Sequence, residues 1–259
     1  MTWKQFYQTA TALQQYLNRT EKQQYSLFSI YIPTHWTDIL TSRPFSVSDM
    51  DRQELGKGIS MLMRMQQEGS MVPMQTIRAR SGVQRMFESG DYGMYICGTW
   101  LMHYLQIDSK AGTCTMNWGA TERPHWEGKE NENSAWITSL CINRESAETE
   151  AAWRFVQFIC GKKGAEIMAQ NLMIPAYRDA DVDHLLNQQL ENYDTSITLE
   201  AESFDPPQAV ASIKESEARN RVLSLVGQAV LGLIPQEDCM EQIAQIQAEF
   251  FFIRFCGIV

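Results

Sequence analysis

Residues 85–100, RMFESGDYGMYICGTW, end an apolar run on Gly98-Thr99-Trp100, and Trp100 is the side chain with the most to offer chemically. A tryptophan at a strand end is either core or a flat apolar plane held out to a ligand, and its position alone does not choose. The other reactive residues form no recognisable centre. Cys97, Cys114, Cys141, Cys160, Cys239 and Cys256 contain no C-x-x-C pair, which reads as buried free thiols rather than a zinc site or a disulfide framework. His35, His103, His125 and His184 are scattered, without a second ligand three or four residues away. No G-x-S-x-G, phosphate loop or metal spacing occurs. Glu122 with Glu127 or Glu130 would be the carboxylate pair of a glycoside hydrolase. Such acids must face each other across one bond at about 5 to 9.5 Å, and nothing in their polar segment fixes that geometry. These residue types signal neither a catalytic centre nor a cofactor site.

The elements that must position Trp100 follow from periodicity. Thr2 is suited to cap a helix with Trp3, Phe6, Ala10, Leu13 and Leu17 on one stripe. Residues 24–33 read as strand or loop. A capped helix over 48–69 presents Leu55, Ile59, Leu62 and Met63, with Met61, Met63 and Met65 as packing filler. Ser81 is expected to cap a short helix burying Val83, Met86 and Phe87 and ending at Gly90. YGMYIC (92–97) is predicted as a strand buried on both faces. Thr99 should cap the next helix, WLMHYLQ. The polar stretch from about 106 to 133 reads as a loop, and AWITSLCIN (135–143) as a strand. Ser146 should start a helix with Ala151, Ala152, Phe155 and Ile159 facing inward, broken at Gly161 and followed by a second short helix to about Gln170. Two longer helices, joined at Pro235, close the chain. Strands separated by helices imply a helix-rich α/β protein.

Bulk properties narrow the partners. The 259 residues are 44% hydrophobic and 20% charged, as in an ordinary soluble globular protein. A formal charge of −9 argues against nucleic acid and anionic membrane surfaces, which need clustered Lys and Arg. MTWKQFYQTA has none of the regions of an export signal, so none is expected in the chain as written. The closing apolar run FFFIRFCGIV is about half of what a membrane span requires and is interrupted by Arg254.

Four segments in order carry a resemblance. TWKQFYQTATAL, FESGDYGMYICGTW, AAWRFVQFICGKKGAEIMAQNLMIPAY and GLIPQEDCMEQIAQIQAEF are similar to motifs of the extracellular solute-binding proteins of ABC transporters, family 1, the carbohydrate-binding, maltose-binding-protein-like group. Gly93 stands where that family has Ala, and Asn171 or Leu172 stands near a usual Gly. The resemblance implies an incomplete periplasmic-binding-protein-like class II fold lacking its N-terminal part. Residues 1–120 would be the first part of lobe two, 121–180 a crossing segment and lobe-one piece, and 181–259 the C-terminal helices of lobe two. The middle segment would then expose apolar surface.

The resemblance also implies a function: a monomeric binding protein, extracellular or periplasmic and membrane-associated, passing a carbohydrate or related small polar solute to ABC permease subunits. A sugar shows C–H groups on its faces and hydroxyls at its rim, so its site needs an aromatic plane and polar rim groups. By its place in the motif Trp100 would be that plane, beside an inter-lobe cleft. Gly98 leaves space next to it, and Thr99 adds a hydroxyl and helix N-terminal donors. Trp136, Trp36 and Tyr177 are further candidates. The loop TERPHWEG, with Glu122, Arg123, His125 and Trp126, is open to contact with ligand or transporter, with a solvated loop the favoured reading.

Overall fold

The computed structural model describes residues 1–19, 31–32, 47, 50–79, 82–90, 92–129, 138–197 and 213–255. In chain order these form α1 (Trp3–Arg19), β1 (Tyr31–Ile32), α2 (Arg52–Gln67), α3 (Met74–Ala79) and α4 (Val83–Glu88). Then come β2 (Met94–Tyr95), α5 (Trp100–Lys110), β3 (Gly119–Thr121), α6 (Thr149–Ile159) and α7 (Lys162–Gln170). The last are α8 (Ala180–Leu190), β4 (Asp194–Ser196), α9 (Ile213–Val230) and α10 (Gln236–Phe255). They divide into two compact units: Met1–Ile96, Arg123–Ala135 and Ala201–Val259 in one, Cys97–Glu122 and Trp136–Glu200 in the other. The expected roles of Ser81, Trp36 and Trp136, the Leu17 side chain, most of the 24–33 segment and Cys256 lie outside the described residues.

In the first unit, α1 begins as its sequence requires. Gln5 N–H donates to Thr2 Oγ1 at 3.2 Å while Thr2 N–H donates to Gln5 Oε1 at 2.8 Å, a reciprocal cap that satisfies two otherwise orphaned donors. Trp3, Phe6 and Ala10 are buried as expected, but the stripe closes on Gln14 and leaves Leu13 exposed. Leu13 and Gln14 flank the stripe on opposite sides, and the packing takes the second. Asp51 accepts from Gln53 and Glu54 N–H at 2.9 and 3.1 Å to start α2. Leu55, Ile59, Leu62 and Met65, spaced three and four apart, then form a fully buried stripe. Met65 takes the place expected for Met63, while Met61 and Met63 pack at the margin of this core. Helices α1, α9 and α10 pack on α2, bringing Val222, Val226 and Ile243 into the same core. Gly90 ends the α4 turn with φ 75°, the left-handed conformation expected there.

The predicted strand 92–97 is reduced to Met94 and Tyr95, pairing in parallel with Tyr31 and Ile32, and it is half-buried. A two-stranded ladder cannot cover both of its own faces, so continuous burial needs neighbours it does not have among the described residues. TERPHWEG is not a solvated loop. Trp3 N–H donates to His125 O at 2.9 Å, His125 N–H donates to Met1 O at 3.1 Å, and the Trp126 ring lies 6.4 Å from that of Trp3.

In the second unit α7 packs against α6 and α8, and the core is Met102, Ala165, Ala169, Leu172, Val182, Leu186 and Leu190. The stretch expected to be a loop contains the last residues of α5 and then β3. That strand pairs in parallel with β4, Gly119 opposite Asp194 and Thr121 opposite Ser196. Residues 138–143 form no strand and are largely exposed, since an extended segment without a ladder partner has no reason to be extended. Glu148 rather than Ser146 is the N-cap of α6; the Ser146 hydroxyl accepts from Glu148 N–H at 3.2 Å one turn earlier.

Helix α6 carries a strong apolar stripe yet buries no residue. Phe155, expected to face inward, is 58% exposed, and Trp153, Phe158, Ile167 and Leu140 are exposed with it. The same geometry leaves Cys141 and Cys160 exposed, contrary to the reading of all six thiols as buried, while Cys114 and Cys239 are buried. Exposed apolar side chains of this kind bind other apolar surface. The chain is therefore expected to enhance the fluorescence of an anilinonaphthalene dye in the folded state, and Phe155→Ser with Phe158→Ser to remove at least half of that signal without lowering the melting temperature.

Candidate functional site

Trp100 is the first residue of α5, whose opening turn is built by Leu101 N–H donating to Gly98 O at 3.1 Å and Met102 N–H donating to Thr99 O at 3.2 Å. Leu101, Met102 and Leu105 are buried and hold the helix down. The opposite side points the Trp100 indole outward, 48% exposed. The ring folds back over the chain: a Cβ on Gly98 would overlap its Nε1 and Cδ1. Only glycine lets the indole lie on the backbone there. Thr99 does not act as the expected side-chain cap. Its backbone is already helical (φ −59°, ψ −18°) and its hydroxyl makes no capping bond, because a cap needs extended geometry to aim its oxygen at the next N–H groups.

Sequence reasoning missed two neighbours. Tyr104, one turn on and equally exposed, meets Trp100 edge to face with centroids 5.9 Å apart and planes at 80°. The His103 ring lies 5.6 Å from that of Tyr104. His103 Nδ1–H donates to Asn171 O at 2.7 Å, which fixes the imidazole and leaves Nε2 as its second polar position. The i,i+4 spacing of Trp100 and Tyr104 was the available signal. The result is an exposed right-angled aromatic corner with polar tips. Behind it, burial pushes the Cys97 thiol up to about 12, so that sulfur is a protonated thiol at neutral pH.

Tyr177 is part of a different cluster. Its hydroxyl donates to Asp179 Oδ2 at 3.3 Å, and no bond or ring contact joins it to Trp100 among the described residues. Asp179 caps α8 by accepting from Val182 N–H at 2.9 Å, and Lys162 Nζ lies 3.0 Å from its Oδ2 while also pairing with Asp181. The Val182 N–H and then Lys162 hold the Asp179 carboxyl below its ordinary value. Asp181 and then Asp179 hold the Lys162 ammonium above its own. A depressed carboxyl stabilises the fold fully above its unfolded value of about 3.9 and loses that contribution as pH falls through the lower folded value. Asp179→Ala is therefore expected to melt lower than the parent at pH 7 in a calorimetric scan, with the difference shrinking in strong acid.

The backbone near Asn171 also bears on the family pattern. Leu172 takes the left-handed conformation, φ 55°, while being wholly buried. Leu172 thus holds a backbone geometry that favours Gly, its core packing offsetting strain on the order of 1 to 3 kcal/mol.

Among the described residues no three His, Cys, Asp or Glu side chains gather to hold a metal, and no helix is long and apolar enough to cross a membrane. The family described as bacterial extracellular solute-binding protein matches residues 1–181. No curated protein matches in sequence. Solved structures share the helix-rich α/β fold. A sugar transporter from Rhizobium etli in an open conformation aligns with TM-score 0.67 and 17% identity, over 96% of this chain and 64% of its own. An ABC substrate-binding protein from Listeria monocytogenes in complex with cycloalternan aligns with TM-score 0.66 and 12% identity, over 97% of this chain and 64% of its own. The chain thus spans about 64% of the length of these structures, consistent with an incomplete form of their fold. With the family matched over the larger part of its sequence, the chain belongs to the bacterial extracellular solute-binding proteins.

Proposed function

We propose that this chain is the solute-binding component of an ABC importer, holding a sugar or oligosaccharide by aromatic stacking and hydrogen bonding without any catalytic step. The observation that carries the reading is the half-exposed Trp100 indole, laid over Gly98 at the start of α5 with Tyr104 at right angles to it. The indole face takes the C–H face of a pyranose. The Thr99 hydroxyl, His103 Nε2 and Tyr104 OH serve its rim, and Tyr177 stands as a more distant contact. Trp36 and Trp136 complete the candidate set. Its partners in this reading are permease subunits at the outer face of a membrane, a role that the family match supports.

Covering one indole face removes about 100 Å² of apolar surface, or roughly 2.5 kcal/mol, whereas micromolar affinity needs about 8 kcal/mol. Trp100 is therefore one of several converging contacts. A thermal-shift panel of mono- and oligosaccharides tests the reading: at least one should raise the melting temperature saturably, and Gly98→Ala, which displaces the indole, should push half-saturation to a severalfold or higher saccharide concentration. Turnover of a chromogenic glycoside would overturn it in favour of a hydrolase. A second reading, a non-transporting remnant, is favoured by the exposed apolar face of α6 together with the partial coverage of related structures. It predicts no saccharide response from this chain and a response from a version extended upstream.

A further inference from the structure

A second place in the same unit combines the groups that a neutral polyol needs. At the far end of α5, about 13 Å along its axis from Trp100, an open cleft of about 440 Å³ is lined by Thr115, Asn117, Trp118, Asn192, Tyr193 and Asp194, among others. That volume lies within the range of about 300–1,000 Å³ usual for small-molecule sites. Its aromatic surface comes from Trp118 and Tyr193, stacked with centroids 4.2 Å apart and planes at 22°. Both are backed by the unit's core, which holds them still.

Gly119 assembles the cleft. A Cβ there would stand 2.5 Å from Asp194 O and 3.3 Å from Asp194 Cβ, so glycine alone allows β3 to close on β4 at that register. The closure sets Asn117-Trp118 opposite Asn192-Tyr193. Asn192 is pre-oriented: its Nδ2 donates to Gln188 O at 3.2 Å and Gln189 O at 3.1 Å, which leaves Oδ1 as an acceptor. Trp118 Nε1 is buried without a hydrogen-bond partner among the described residues. A buried donor in that state is destabilising until an acceptor reaches it. Among the described lining residues Asp194 alone is charged, so an anion finds no cation there to pair with.

We propose that this cleft is a second saccharide-binding site, independent of Trp100, that holds a pyranose against Trp118 and Tyr193 with Asn117, Asn192 and Asp194 on its hydroxyls. One aromatic surface and three polar groups make it a weak site, of millimolar order. The test follows the indole N–H resonances of the ¹⁵N-labelled chain during titration with maltose, and separately with choline chloride. Trp118→Phe and Trp100→Ala assign the two signals. The Trp118 resonance should shift saturably with maltose and should do so equally in Trp100→Ala, whatever the Trp100 resonance does. Asn117→Ala with Asp194→Ala should weaken that response at least tenfold while the other indole signals keep their dispersion. Asn117→Ala alone, a change in an exposed loop, should weaken it severalfold. A Trp118 signal that maltose leaves unmoved, that moves only when Trp100 is intact, or that answers choline and not maltose would overturn the proposal, as would undiminished binding in the variants. Failure of Trp100 to bind sugar, with Trp118 still responding, would count against the proposed function alone.

Discussion

Replacing Trp3 with alanine is expected to lower the unfolding free energy by about 3–5 kcal/mol, the largest loss of any single change considered. Trp3 is 2% exposed at the start of α1. Its ring meets Phe6 edge to face at 5.5 Å and Trp126 at 6.4 Å, and its N–H is the donor to His125. Truncation removes the transfer energy of a large side chain and leaves a cavity between two segments more than a hundred residues apart in sequence. Aromatic pairing adds about 0.5–1.5 kcal/mol beyond burial. For a chain of this size the melting temperature should fall by roughly 10 °C, read by differential scanning calorimetry. Leu13→Ala on the same helix should cost under about 1 kcal/mol, because Leu13 is already exposed. If the two variants melted alike, the docking of α1 through Trp3 would be wrong.

Trp100→Ala should behave in the opposite way, with a small effect on stability and a large one on ligand. The indole is half in solvent and α5 is held by Leu101, Met102 and Leu105, so stability should change by no more than about 1 kcal/mol. Losing the stacked face removes roughly 2.5 kcal/mol, which is about a 60-fold rise in Kd. Calorimetric titration with whichever saccharide stabilises the parent would measure it. Trp100→Phe keeps a smaller plane and should lose only severalfold. Unaltered affinity in the alanine variant would remove Trp100 from the site.

These two tryptophans show how much was legible beforehand. Both sit at a helix start, and both match family motifs. Trp3 begins an amphipathic stripe that includes Phe6 and Ala10, so its burial follows from periodicity. Trp100 begins a helix whose buried residues are the next two, Leu105 and Gln106, which turns it outward, and that rotation is not readable from a short, weakly periodic segment. The aromatic partner at Tyr104 was written in the i,i+4 spacing and could have been taken from it. The right angle between the rings could not.

The strands were the least legible elements. YGMYIC and AWITSLCIN have the composition of buried strands, but a strand exists only where another offers it a ladder. The first keeps two paired residues, and residues 138–143 of the second are largely exposed without a ladder. The helices, whose hydrogen bonds are internal, largely appeared where caps and stripes placed them. Even so, the stripe of α6 was sound and its burial was not, because periodicity says which face is apolar and not whether anything covers it.

By itself, then, the sequence determined the family, the helix-rich α/β class, the positions of most helices and the presence of an aromatic at a motif position. Each of these depends on local spacing or on order along the chain. Tertiary structure alone decided that TERPHWEG straps the start of α1, that Leu172 keeps a left-handed backbone inside a core, and that Gly119 lets two short strands close around Trp118 and Asp194. All three depend on segments far apart in sequence meeting at atomic distance, and no pattern along one segment encodes its partner's position.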